Sequence, residues 1–153
     1  MNRLIAILII LLAGISAASG ADASPCFNSL SSREGFDYTY VSPAMLKLMG
    51  DKIVNTDLNI RASDITSIET VSTIGEGTDT ELWKLIRTLK NKMKLETLTT
   101  KKSEYFRYDV LGKLSGDHKF ITRMMVITQD TGANVTVVYI EGKIPIQEIM
   151  VQF

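Results

Sequence analysis

The chain predicts an α+β domain: a mostly antiparallel sheet of about six strands with two helices packed on one face. Three features carry this. Four strand-like runs follow one another after position 95, joined by hairpin-sized connectors. One long amphipathic helix precedes them. Further upstream, an aromatic strand leads into a short capped helix.

The elements follow in order. Arg3 supplies a positive start, Leu4–Ile15 is apolar apart from Gly14, and the small-residue run "SAASGADAS" comes next. That order is the pattern of a secretory signal peptide, expected to occupy 1–20 with cleavage somewhere in 18–23. The apolar run is shorter than the roughly 20 residues a membrane span needs. "LLAGIS" differs from a lipid-attachment box by Ile15, where cysteine would stand, so lipid anchoring is not expected. The one cysteine, Cys26, follows Pro25 in "ASPCF". Residues 21–35 are small and polar and read as a loose lead-in to a single domain over 36–153.

"FDYTYV" (36–41) alternates aromatic and β-branched residues, a strand. "SPAMLKLMG" (42–50) has a cap serine, proline at the first helical position and a closing glycine, with Met45, Leu46 and Met49 on one side. Residues 51–63 are polar and irregular. "DITSIETVST" (64–73) reads as an imperfect strand, Ile65 and Ser67 on one face and Ile68 on the other. Over 75–95, Leu82, Leu85, Ile86, Leu89 and Met93 form one apolar stripe, and Thr78 with Glu81 fits a capping box. Strands are then expected over 95–102, 105–114, 120–129 and 135–144, an antiparallel meander because the connectors are short. Proline opens a final helical turn over 145–150.

The "VSPAMLKLM" segment, the Trp-bearing helix and a strand ending in Gly142 before a short final helix resemble the domain of unknown function 4252 family, small exported bacterial proteins. The resemblance spans roughly Phe36 to Phe153. It implies the fold and export, and through relatives encoded near stress-type transcription regulators, an envelope role. Members often carry a lipobox cysteine, from which Ile15 departs. No catalytic residues are carried over from it.

Composition narrows the chemistry. Once 1–20 is removed, 16 basic residues face 17 acidic ones, which argues against a nucleic-acid partner. One histidine, His118, and one cysteine cannot build a four-ligand zinc site or an internal disulfide. "DLNIRASDITSIE" begins like a calcium loop at Asp57 and Asn59, then lacks the glycine and has Ile68 at the twelfth position. "GEGTD" precedes a helix as phosphate loops do, but Glu76 and Asp79 repel an anion there. Glu141 and Asp109 lie on strands, and nothing in the sequence pairs them. No metal, cofactor or catalytic residue is therefore expected.

Two surface features stand out. Trp83, Arg87, Lys90 and Lys94 share one flank of the long helix, a candidate strip for weak contact with an anionic surface; an ordinary solvated helix border has the same pattern. "RMMVI" and "VTVVYI" are apolar on both faces. Tyr105, Met125, Val137 and Tyr139 are accordingly candidates for a partner or self-association surface, unless the chain covers that face itself. The expected function is a non-enzymatic binding or interaction protein of the bacterial envelope, periplasmic or secreted. The alternatives are a small carboxylate-dependent hydrolase and a peripheral membrane or glycan-associating protein.

Overall fold

The structure, a computed structural model, describes residues 25–55 and 60–150. The main sheet has six strands: β1 (Phe36–Val41), β4 (Ile65–Thr73), β5 (Glu96–Lys102), β6 (Phe106–Leu114), β7 (Phe120–Asp130) and β8 (Val135–Pro145). Its order is β1-β4-β8-β7-β6-β5, with every neighbouring pair antiparallel. The C-terminal meander and the α+β class are as the sequence predicts. The helices are α1 (Pro43–Met49), α2 (Thr78–Met93) and a short α3 (Ile146–Met150).

Both sheet faces are buried, and by different segments. Alternation sends Met125 and Ile127 of β7 into one core and Met124 and Val126 into the other. The first core is closed by Leu82, Ile86, Leu89 and Met93 of α2 together with Phe27 and Leu30 of the N-terminal segment. The second is closed by Leu46 of α1, by Ile60 and Ala62, and by Ile149 of α3. The expectation of both helices on one face is thus corrected: α1 and α2 lie on opposite faces. Helical periodicity shows which side of a helix is apolar, but not which face of a sheet it covers. The two-sided apolar strands are explained within the chain itself.

The lead-in also differs from expectation. Over 25–35 it is docked rather than loose. Asn28–Leu30 forms a 3-10 turn, and Phe27, with no exposure, meets the Tyr139 ring edge-on at 6.4 Å. The polar stretch after α1 contains a small antiparallel ribbon, β2 (Ile53–Asn55) with β3 (Ile60–Arg61). Asp57 and Asn59 of the incomplete calcium loop lie outside the described residues, as does the signal-like segment.

Local chemistry fixes the remaining details. Ser42 caps α1, its Oγ accepting from the Met45 N–H at 3.3 Å. The capping box expected for α2 does not form: Gly77, left-handed at φ 79°, is the cap residue. The Thr78 hydroxyl donates to the Gly75 carbonyl at 2.6 Å, and Glu81 pairs with Arg33 of the lead-in. In β4 a register shift between Ile65 and Ser67 adds a residue. Ile65 and Ile68 therefore share the second core, where a regular strand would separate them.

Candidate functional site

Two places gather chemistry-bearing side chains. The first lies beneath the lead-in, on the face shared with α2. Register brings Tyr40, Glu69, Tyr139 and Met125 into one row across β1, β4, β8 and β7. Glu69 is 2% exposed. Its Oε2 accepts from the Cys26 N–H at 2.7 Å, and its Oε1 from the Phe27 N–H at 2.9 Å and the Tyr38 hydroxyl at 3.1 Å. Desolvation raises the Glu69 pKa above the ordinary carboxylate value; the three hydrogen bonds oppose that shift and the charge of Glu141 adds to it. The Tyr139 hydroxyl donates to Glu141 at 2.6 Å, and Arg123 reaches the same Oε1 at 3.5 Å.

This cluster brings two carboxylates within electrostatic reach of each other and of a thiol. Each carboxylate is already committed to fixed donors. Burial pushes the Cys26 thiol up to about 11, with Glu69 and Glu141 adding to the shift, so at neutral pH it is a thiol rather than a nucleophile. His118 sits exposed in the β6–β7 turn at φ 58° and is not among the groups facing Cys26. Asp109, on β6, is likewise engaged: Arg107 Nε lies at 2.6 Å and the Thr100 hydroxyl donates at 2.9 Å. It faces Thr100 rather than Glu141. Among the described residues no group of His, Cys, Asp and Glu side chains is placed to hold a metal ion.

The second place is the outer flank of α2 where it runs beside β5 and β6. Two contacts fix that alignment. The Arg107 guanidinium lies 4.5 Å from the centre of the Trp83 ring, and Lys90 Nζ donates to Thr97 Oγ1 at 3.2 Å. Trp83 is half-buried against the first core, and Arg87 Nε donates to its carbonyl at 3.4 Å. Lys94, left-handed at φ 55°, ends the helix and is exposed. Trp83, Arg87 and Lys90 of the expected strip therefore lie on this flank, with Trp83 locked as a platform under Arg107, whereas Lys94 stands at the left-handed end where helical spacing stops. Sequence reading missed Arg107 and Lys102, which join them from the sheet. Lys102 pairs with Arg107 across β5 and β6, and this depends on strand register and on which flank of the helix meets the edge.

Charge follows this geometry. Residues 84–113 hold nine basic and three acidic side chains, whereas the rest of the chain holds eight basic and fourteen acidic ones. A chain with no net charge is thus divided, although Asp79 and Glu81 in the first turn of α2 bring the excess over the whole of α2, β5 and β6 down to four positive charges. Arg87, Lys90, Lys94, Lys101 and Lys102 form no ion pair with a described residue.

The other expected surface residues part company. Met125, Val137 and Tyr139 are buried in the first core, so they form no outer surface. Tyr105 is 67% exposed, at the turn between β5 and β6. There a shallow open groove is lined by Lys102, Glu104, Phe106, Arg107 and Asp130 among others.

The fold and these two places define a small α+β domain with one antiparallel sheet buried on both faces and a basic, aromatic-backed edge. The particular family is shown by its sequence profile, "Domain of unknown function (DUF4252)", which matches residues 30–151; the chain belongs to that family. No match was found among the curated proteins or the solved structures. Among the described residues no helix is long and apolar enough to cross a membrane.

Proposed function

We propose that the protein is exported to the cell envelope and works there as a non-enzymatic binding domain, with the α2–β5–β6 flank as its contact surface for an anionic partner. One observation carries the reading: Arg87, Lys90 and Lys102, none of them in an ion pair with a described residue, gather on one flank of a chain with no net charge, around an indole already held under the Arg107 guanidinium. Export is supported by the signal-like order of Arg3, the apolar run and the small residues. A binding role is supported over hydrolysis by Glu69, Asp109 and Glu141, each occupied by structural donors.

The test is retention on a polyanion. A neutral protein with evenly mixed charge passes through a heparin column at low salt, whereas a segregated one is held. The wild-type protein should be retained and released by about 0.3–0.5 M salt, where screening shortens to a few ångströms. Arg87→Glu with Lys90→Glu should pass through. Identical elution of wild type and variant would remove this flank from the reading.

A further inference from the structure

We propose that the anionic partner is the headgroup layer of an acidic phospholipid bilayer, met edge-on by the β5–β6 hairpin and the adjoining flank of α2. The inference rests on the binding reading above and names its ligand. The first argument is shape. The cations do not converge on a pocket: Lys90 stands over Thr97 near the start of β5, while Lys102 and Arg107 stand at its far end. They line a band about 20 Å long, one strand at roughly 3.3 Å per residue. A compact anion is held by converging donors, whereas cations spread along a band suit a plane of phosphates.

The second argument is Tyr105. It is among the few large apolar-bodied side chains left exposed, and it sits at the hairpin turn between Lys101 and Lys102 on one side and Arg107 on the other. A ring with a polar tip, near Lys102 and Arg107 as well as Glu104, has the chemistry of the zone between headgroups and acyl chains. Lysines on an edge strand also guard against strand pairing between molecules. That role accounts for Lys101 and Lys102, but not for an exposed tyrosine beside them or for Arg87, Lys90 and Lys94 on the helix.

The third argument is orientation. Outside residues 78–114 the chain holds eight basic and twelve acidic side chains, so a negative bilayer favours approach by this flank. No insertion deeper than the headgroups is implied, because Trp83 is held by the core and by Arg107.

The exported protein is sedimented with vesicles of phosphatidylglycerol and phosphatidylcholine, and with phosphatidylcholine alone, at 0.1 and 0.5 M salt. Binding is expected only to the acidic vesicles and only at low salt. Lys90→Glu with Lys102→Glu should weaken it about twenty-fivefold, at about fivefold for each basic residue lost near the surface. Tyr105→Ala should weaken it severalfold, and Lys47→Glu with Lys52→Glu, on the other side of the domain, should leave it unchanged. Heparin retention is run on the same samples. Retention on heparin without binding to acidic vesicles overturns the bilayer and leaves the binding reading standing, with an acidic glycan or protein as the partner. Equal binding to both vesicle types overturns the electrostatic basis. Failure to bind either vesicles or heparin overturns both proposals.

Discussion

Glu69 shows how one side chain settles the fate of a whole segment. Its carboxylate accepts from two consecutive backbone N–H groups, and without it the buried Phe27 donor and the part-buried Cys26 donor would lose their acceptor. Glu69→Ala should therefore cost about 2–4 kcal/mol, at about 1–3 kcal/mol for each buried group left without a partner. Hydrogen exchange at Cys26 and Phe27 should accelerate sharply; unchanged protection there would show that Phe27 packing alone holds the lead-in. The same residue sets a pH dependence. Its pKa is raised in the folded protein, so the folded state holds the proton more tightly than the unfolded chain. Acid thus favours folding through this group: the contribution is complete below the ordinary value near 4.5 and is lost as pH rises through the raised value. Urea midpoints of wild type relative to Glu69→Gln should rise on going from pH 7 to pH 5, and a falling difference would refute the assignment. Cys26 offers a second measurement. With the thiol pushed up to about 11, its reaction with a disulfide reagent at pH 7 should be at least about tenfold slower in the folded protein than in urea, the lower thiolate fraction outweighing the higher nucleophilicity of the thiolate that forms. Equal rates would mean that the lead-in does not cover it.

At the level of elements, the junction of β4 and β8 is the tightest place in the molecule. A Cβ on Gly142 would lie 2.2 Å from the Asp64 carbonyl oxygen and 2.9 Å from the Ile65 Cα, both backbone atoms that cannot swing aside. This is where the extra residue of β4 lets Ile65 turn into the second core. Gly142→Ala should then cost about 2–4 kcal/mol, the range of a strained backbone added to overpacking. A melting temperature within a degree of wild type would show that the strand pair shifts freely. Strands and helices were largely legible because their signals are local: alternation in "FDYTYV", the apolar stripe of α2, and the Ser42–Pro43 start of α1. The bulge at Ile65 was not, since one inserted residue reverses the parity on which a strand is read. Nor was the docking of the lead-in, because "SPCFNSLSSREG" is polar on average and its order depends on Glu69, 43 positions away from Cys26. Part of the candidate surface was legible for the same reason. Helical spacing groups Trp83, Arg87, Lys90 and Lys94, but only strand register adds Arg107 and Lys102. The burial of Met125, Val137 and Tyr139 needed the knowledge that both faces are covered.

Across the whole molecule, charge and packing are distributed differently. Charge is divided along the sheet. Asp79 and Glu81 stand at the N-terminal end of α2, and Lys90 and Lys92 at its C-terminal end, the arrangement the helix dipole favours. Part of the segregation that marks the basic flank therefore also stabilises the helix that carries it. Packing is divided across the sheet instead, into two cores that never meet except through the strands between them. β4, β6, β7 and β8 each contribute to both cores, so neither layer can be lost without unpairing strands the other needs. The molecule should unfold as one cooperative unit. Its single tryptophan reports on the α2 side, whereas Leu46 lies on the α1 side with 2% exposure. Leu46→Ala should cost about 2–5 kcal/mol and lower the urea midpoint seen by Trp83 fluorescence by the same amount as that seen by far-ultraviolet circular dichroism. A fluorescence midpoint that stays in place while the dichroism midpoint falls would show that the α1 layer melts separately, with the sheet acting as a wall between two cores rather than a link.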